Sequence, residues 1–480
     1  MNTILSIILP VFSPFLFSLL ALLRGRKSAS SILITGAFFH LTVSVLSYFA
    51  GNIFDGDGTL FPRGIHRLHL MLDLNRDSRL FLVLISLIFL ISSIYFVKHD
   101  KIMKSDGKTP LFRQSIYCGV MLSFLGSMTM VLAARNLGLL WVAIEATTLF
   151  SAPLIIYHRT SGAIEAMWKY LLICSVGIGF ALFGTLLIAC SVPDGCAPGL
   201  SLDTLGQLQL DPMLFKAGFV FILAGYGTKA DLAPFHNWIP DTYSEAHGPA
   251  SALISGTLLN ASFLAIVRIL EIAPEAARAF CNDLLLVLGF LSVAVAAFFV
   301  IRQYDCKRML GYSSIEHMGL AMMMLVSGLT NYAVCHLLCH ALFKSSLFMT
   351  SENIRITFNT RRIDGIRGLL AASPLRAVLL LGGLILICGM PPSPLFLTEL
   401  ALISHLKDWQ ALVLIVLLFL IFAGMLHAAL RMVSGKERNK LAAPGVSMDI
   451  TALMSVVISL VWGAAFYLTV IHQTAESVMP

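Results

Sequence analysis

From Ile4 to Ile471 the chain is a succession of apolar runs, separated by short polar gaps. Runs of about twenty residues, rising about 1.5 Å per residue as helices, can each cross a hydrocarbon core of roughly 30 Å. Inside lipid the backbone must satisfy its own hydrogen bonds, which leaves the helix as the reading for runs of this length. The runs lie at about 4–22, 30–50, 80–97, 115–133, 137–157, 168–191, 213–239, 248–270, 284–301, 309–329, 332–353, 375–404, 409–430 and 450–471. Only 12% of the 480 residues are charged, against about a quarter in soluble domains. The expected fold is all-α, a polytopic membrane protein of about fourteen transmembrane helices.

Lys and Arg test that count, because cytoplasmic loops carry an excess of both. Assigned to alternate gaps, 22 of the 33 basic residues fall on one side, eight on the other, and Lys229, Arg268 and Lys344 lie inside helices. An odd error in helix number would scramble this separation. The bias places the richer gaps in the cytoplasm of a bacterial or archaeal cell and both termini outside. The formal charge of +7 follows from the same loops and gives no argument for nucleic acid. The first run outlasts a signal-peptide core and lacks a small-residue cleavage site before Arg24, so it is expected to be a retained helix. Nine scattered Cys, with no CxxC pair, offer no readable iron–sulfur or structural zinc site. Cys190 and Cys196 could pair outside the cytoplasm or remain free thiols.

With no long hydrophilic segment, the chain reads as a single membrane domain over 1–480. It is expected to divide into N-terminal helices (1–110), two repeats (111–275 and 276–440) and a C-terminal helix (441–480). Two runs are interrupted by Gly and Pro, as transporter helices are. One reads Gly225-Tyr-Gly-Thr-Lys-Ala-Asp-Leu-Ala-Pro234, the other Gly382-Gly383 followed by Gly389-Met-Pro-Pro-Ser-Pro394. Proline removes a helix hydrogen bond, so the freed groups need water or another partner. Charges recur with the breaks: Glu145 precedes Lys229 by 84 residues and Glu316 precedes Glu399 by 83. The second pair falls five helices after the first. An odd shift inverts topology, as expected of two inverted five-helix repeats.

An ionisable side chain at mid-bilayer costs about 2.5–3.5 kcal/mol on insertion scales, so it is kept where it meets a partner or water. Glu145 lies mid-helix and Lys229 at the first break. A Glu145–Lys229 pair could switch the amine between charged and neutral, since burial disfavours its charge and a carboxylate restores it; it could also be a static packing pair. His336, His340 and Lys344 follow at steps of four, on one helix face. That face suits a proton relay, a packed polar core, or less well a metal, because no neighbouring carboxylate in the sequence completes the ligand set. Glu399, after the second break, is the natural terminal group, with Glu316 and His317 as neighbours at a helix end. Asp231, His236, Asp241, Glu245 and His247 could form a cytoplasmic funnel or a polar cap. Arg268, near a helix end, is a weaker candidate for the path, since it could snorkel.

At these residues the chain resembles the antiporter-like proton-channel subunits shared by respiratory complex I, membrane-bound hydrogenases and multisubunit cation/proton antiporters. The nearest resemblance is to component F of hydrogenase-4-type complexes. It is carried by Trp141–Leu149, Ala166–Cys174, Gly225–Asp241, Lys307–Gly319, His336–Lys344 and Gly389-Met-Pro-Pro, in order across about 110–435. The resemblance implies Glu145 and Lys229 in a first half-channel, Lys344 with its two His in a central relay, and Glu399 at the exit. Three departures stand out. Asn260 occupies the place of a relay Lys in many complex I relatives. Tyr243, with His247-Gly-Pro249, alters the family's Pro-Asp-Ala-His and Ala-Pro patterns. Asp231 is an added acid beside Lys229.

The expected function is therefore proton translocation by a membrane subunit of a redox-driven complex. No cofactor or metal of its own is expected, and its partners would be other membrane subunits and a peripheral redox arm. A subunit of a multisubunit Na⁺/H⁺ antiporter and a non-conducting membrane scaffold are the alternatives.

Overall fold

A computed structural model describes residues 3–24, 26–54, 71–105, 114–157, 160–193, 199–436 and 445–478. Among these residues the chain is helical, with three isolated β-bridges and no strand. Eleven helices are long and apolar enough to cross a membrane. The other three expected spans are helical as well: Pro212–Lys229, Cys306–Val326, and the broken pair Pro374–Ile387 and Pro394–His405. Cys196 lies outside the described residues, and with it the question of its pairing with Cys190.

Both expected breaks are present. The first helix stops at Lys229 and the chain resumes at Ile239–Glu245, with Asp231 in the left-handed region at φ 54 between them. At the second, Gly389 takes φ 66, and Pro394 opens the next helix, whose first turn is capped by the Ser393 hydroxyl accepting from the Leu395 amide. Gly382 and Gly383, expected within that break, instead lie in the unbroken Pro374–Ile387 helix. There Gly383 lets Leu347 approach: an added Cβ would lie 2.7 Å from its Cδ2. A π-helical turn at Ile254–Leu258, wider than an α turn, precedes Asn260 and was not foreseen from the apolar pattern.

The chain divides into two compact units, Met1–Val97 with Met103–Asp231 and Thr257–Leu284, and Lys98–Ile102 with Leu232–Gly256 and Leu285–Pro480. In the first, helices Ser161–Cys190 and Pro212–Lys229 meet through glycines. A Cβ on Gly184 would lie 2.5 Å from the Gly218 carbonyl oxygen, and one on Gly225 2.5 Å from that of Gly177. Small residues permit such close backbone approach between apolar helices. In the second unit the Thr330–Phe358 helix is buried along its apolar window and forms the core, packed by Cys306–Val326, Pro374–Ile387, Pro394–His405 and Val446–Val478.

Candidate functional site: buried polar clusters in each unit

In the first unit Lys229, fully buried at the end of its helix, donates to the Tyr170 hydroxyl at 2.8 Å and lies 4.3 Å from the centre of that ring. Tyr170 in turn meets Ser151 Oγ at 2.5 Å. Glu145 is half-buried mid-helix and accepts from Thr148 at 3.3 Å and Ser175 at 3.4 Å. Among the described residues the Glu145–Lys229 pairing weighed from the sequence shows no ion pair; the Tyr170 hydroxyl holds the ammonium. Sequence reasoning passed over Tyr170, although it lies in the Ala166–Cys174 segment singled out. Asp231 is fully buried two residues beyond Lys229.

Arg268 also departs from expectation. It does not snorkel; it is buried and donates to the carbonyls of Val131 (2.8 Å), Ala134 (2.6 Å) and Leu132, and to Ser78 Oγ at 2.8 Å. The last carbonyls of a helix have no partner within it, and a planar guanidinium can serve several at once. Arg268 therefore closes the end of the Gln114–Ala133 helix.

In the second unit His336, His340 and Lys344 share the Thr330–Phe358 helix and are fully buried. His336 Nε2 meets His317 Nδ1 at 3.1 Å, and its Nδ1 meets Thr398 Oγ1 at 2.8 Å. The His340 ring centre is 4.8 Å from that of His317. Lys344 donates to the Leu310 carbonyl at 2.5 Å. Glu316 and His317, expected at a helix end, lie about three turns inside Cys306–Val326. That helix starts earlier than its apolar run because Asp305 caps it, accepting from the amides of Lys307 (2.8 Å) and Arg308 (3.0 Å). Glu399 is buried one turn into the helix after the second break, against Gly389, where an added Cβ would lie 2.2 Å from Glu399 Oε2.

The remaining candidates of this unit lie around Ile239–Glu245. Asp241 pairs with Arg308 at 2.9 Å and Glu245 with Arg361 at 2.6 Å. His236 is buried with Nδ1 lacking a hydrogen-bond partner. His247 is buried with its ring centre 5.6 Å from that of His99. His99 leads to a cluster absent from the sequence reading. Glu352, fully buried, accepts from Lys307, from Arg355 at 2.6 and 3.0 Å, and meets His99 Nε2 at 3.2 Å. A Cβ on Gly248 would lie 2.6 Å from Glu352 Cβ, so the His247-Gly-Pro249 departure makes room for this carboxylate.

The profile of a family described as NADH:quinone oxidoreductase/Mrp antiporter, TM, matches residues 134–425. The chain belongs to that family. Among its relatives, the hydrogenase-4 component F homolog of Methylacidiphilum infernorum is 38% identical over 293 residues, covering 59% of this chain and 61% of the relative. The NADH-quinone oxidoreductase subunit N of Ruthia magnifica subsp. Calyptogena magnifica is 30% identical over 294 residues, covering 59% and 60%. The matches thus span about 60% of these curated relatives' length. The fold extends further. A chain of the membrane-bound sulfane sulfur reductase, an archaeal respiratory membrane complex, superposes with a TM-score of 0.82 at 22% identity, covering 99% of this chain and 97% of that one. A chain of the Mrp complex from Dietzia sp. DQ12-45-1b does so at 0.81 and 18% identity, covering 98% and 96%. The chain is an all-α, polytopic membrane protein.

Proposed function

We propose that this chain is a proton-translocating membrane subunit of a redox-driven complex of the hydrogenase-4 or NADH:quinone oxidoreductase kind. One observation carries the reading: the buried His336–His340–Lys344 face is joined by His317 and Thr398, with Glu316 and Glu399 buried in the same unit. Imidazoles accept and donate protons near neutral pH. An array of them in an apolar core carries an insertion cost that a relay explains and simple packing does not. In the first unit Glu145, Tyr170 and Lys229 form the corresponding half-channel, with Lys229 changing charge at the break. Asp231 belongs to this half-channel beside Lys229, and in the second unit His236 and His247 line the cytoplasmic approach.

The fourteen crossings, the two inverted repeats, a cytoplasmic-membrane location and both termini outside belong to the same proposal, supported by the Lys and Arg distribution and the paired breaks. Redox chemistry falls to a peripheral arm and transport to this chain with other membrane subunits. Family membership also supports a second reading, a subunit of a multisubunit Na⁺/H⁺ antiporter. Reconstituting the purified complex into vesicles tests both. Proton uptake tied to electron transfer and unaffected by sodium is expected; uptake that requires a sodium gradient and no electron donor would favour the antiporter. Equal uptake by wild type and by Lys229→Ala and Glu399→Gln variants would leave a scaffold.

A further inference from the structure

On its own helix, HxxxH lacks a third ligand. The fold brings two others to His336. Single donor atoms of His317, His336 and Glu399, from three helices, all lie within 4.8 Å of one another, and all three residues are buried. His317 Nδ1 and His336 Nε2 are 3.1 Å apart, near the spacing of about 3.3 Å between two nitrogens bound at roughly 2.0–2.1 Å to one tetrahedral zinc. Thr398 on the far nitrogen of His336 fixes which nitrogen faces the cluster, as outer partners of metal-bound imidazoles do. A separate observation points the same way. His340 is fully buried beside His317, and neither ring nitrogen has a hydrogen-bond partner. Buried polar atoms are rarely left so.

Two imidazoles and a carboxylate suit a transition ion better than Mg²⁺ or Ca²⁺, which favour all-oxygen shells. We propose that His317, His336 and Glu399, beside His340, form a transition-metal site, which Zn²⁺ fills and thereby closes the proton route. A lone pair held by the metal cannot receive a proton. The closing effect rests on the transport reading above; the binding does not. Access is through the second break, where Met390, Pro391 and Pro392 are exposed beside Gly389, which abuts the Glu399 carboxylate.

The test uses the full chain in its purified complex, stripped with a chelator and titrated with Zn²⁺, with X-ray absorption of the bound ion. Wild type is expected to bind one equivalent that His336→Gln and Glu399→Gln each lose, with imidazole ligands at about 2.0–2.1 Å. Thr398→Val should weaken it by roughly tenfold or more. Unchanged stoichiometry and affinity across the variants, or a shell without imidazole, overturns the site. In vesicles, Zn²⁺ should stop wild-type proton uptake and a chelator restore it. Zinc bound at these ligands with uptake unaffected overturns the closing effect. If Glu399→Gln then also transports normally, the transport reading falls while the metal site stands.

Discussion

The Lys229 ammonium and the Tyr170 ring form a double contact, a hydrogen bond to the hydroxyl at 2.8 Å and a cation above the ring face at 4.3 Å. Tyr170→Phe keeps the ring and removes the acceptor. A hydrogen bond to a charged group contributes about 1.5–3 kcal/mol, so proton translocation should fall by about tenfold while the complex still assembles. Initial uptake rates in vesicles at equal complex abundance check this; an unchanged rate makes Tyr170 a packing residue. Lys229→Ala should abolish most of the uptake.

Glu399→Gln preserves size and hydrogen bonding but cannot release a proton, so translocation should drop strongly with assembly intact. Glu399→Asp should retain part, a water bridging the shorter side chain. Gly389→Ala should behave like the glutamine variant with added instability. Its φ of 66 costs roughly 1–2 kcal/mol for an L side chain, and its methyl group would displace the carboxylate.

Glu352 is the common acceptor of Lys307, Arg355 and His99. Removing one partner from a buried ion pair costs roughly 3–5 kcal/mol. Glu352→Ala should therefore lower the thermal midpoint of the detergent-solubilised protein markedly, and Glu352→Gln by less. A midpoint equal to wild type for the alanine variant would contradict the cluster's structural weight.

Arg268→Lys keeps the charge but loses the fork that serves three carbonyls. Protein abundance in the membrane should decline, with proton uptake per assembled complex preserved. A fall in uptake per complex would instead return Arg268 to the path.

Topology tags at Gly25, Lys104, Arg361 and Lys436 should report cytoplasm, and tags at Asp57, Gly195 and the C-terminus the outside. An opposite report at any two positions removes the fourteen-helix arrangement.

The spans and both breaks were legible because run length, Gly and Pro act locally. So were the residues of the Thr330–Phe358 face, since a step of four fixes their common side. What was not legible depends on distant backbone. Arg268 looked free to reach solvent because its partners are carbonyls more than 130 positions away in sequence. Glu316 and His317 already fall about two turns inside the apolar run at 309–329, and the capping Asp305 adds about one turn more. Glu352 was passed over because Lys307 and His99 reach it from other helices. The fold also brings His317 and Glu399 to His336 from two other helices, a meeting that no spacing in the sequence announces.

The glycines at 177, 184, 218 and 225 bear on how fast the first unit can work. With carbonyl oxygens already where a Cβ on Gly184, Gly218 or Gly225 would sit, and the Thr228 side chain where one on Gly177 would, the two backbones interlock, and sliding one helix past the other would drive atoms into atoms. Register shifts of helices take microseconds to milliseconds, whereas exposed side-chain rotamers turn over in picoseconds to nanoseconds. The Lys229 helix is thereby held as a stator. Changes there fall to the lysine side chain, the Tyr170 hydroxyl and the short loop from Ala230 onward, so a turnover need not wait for a helix to move.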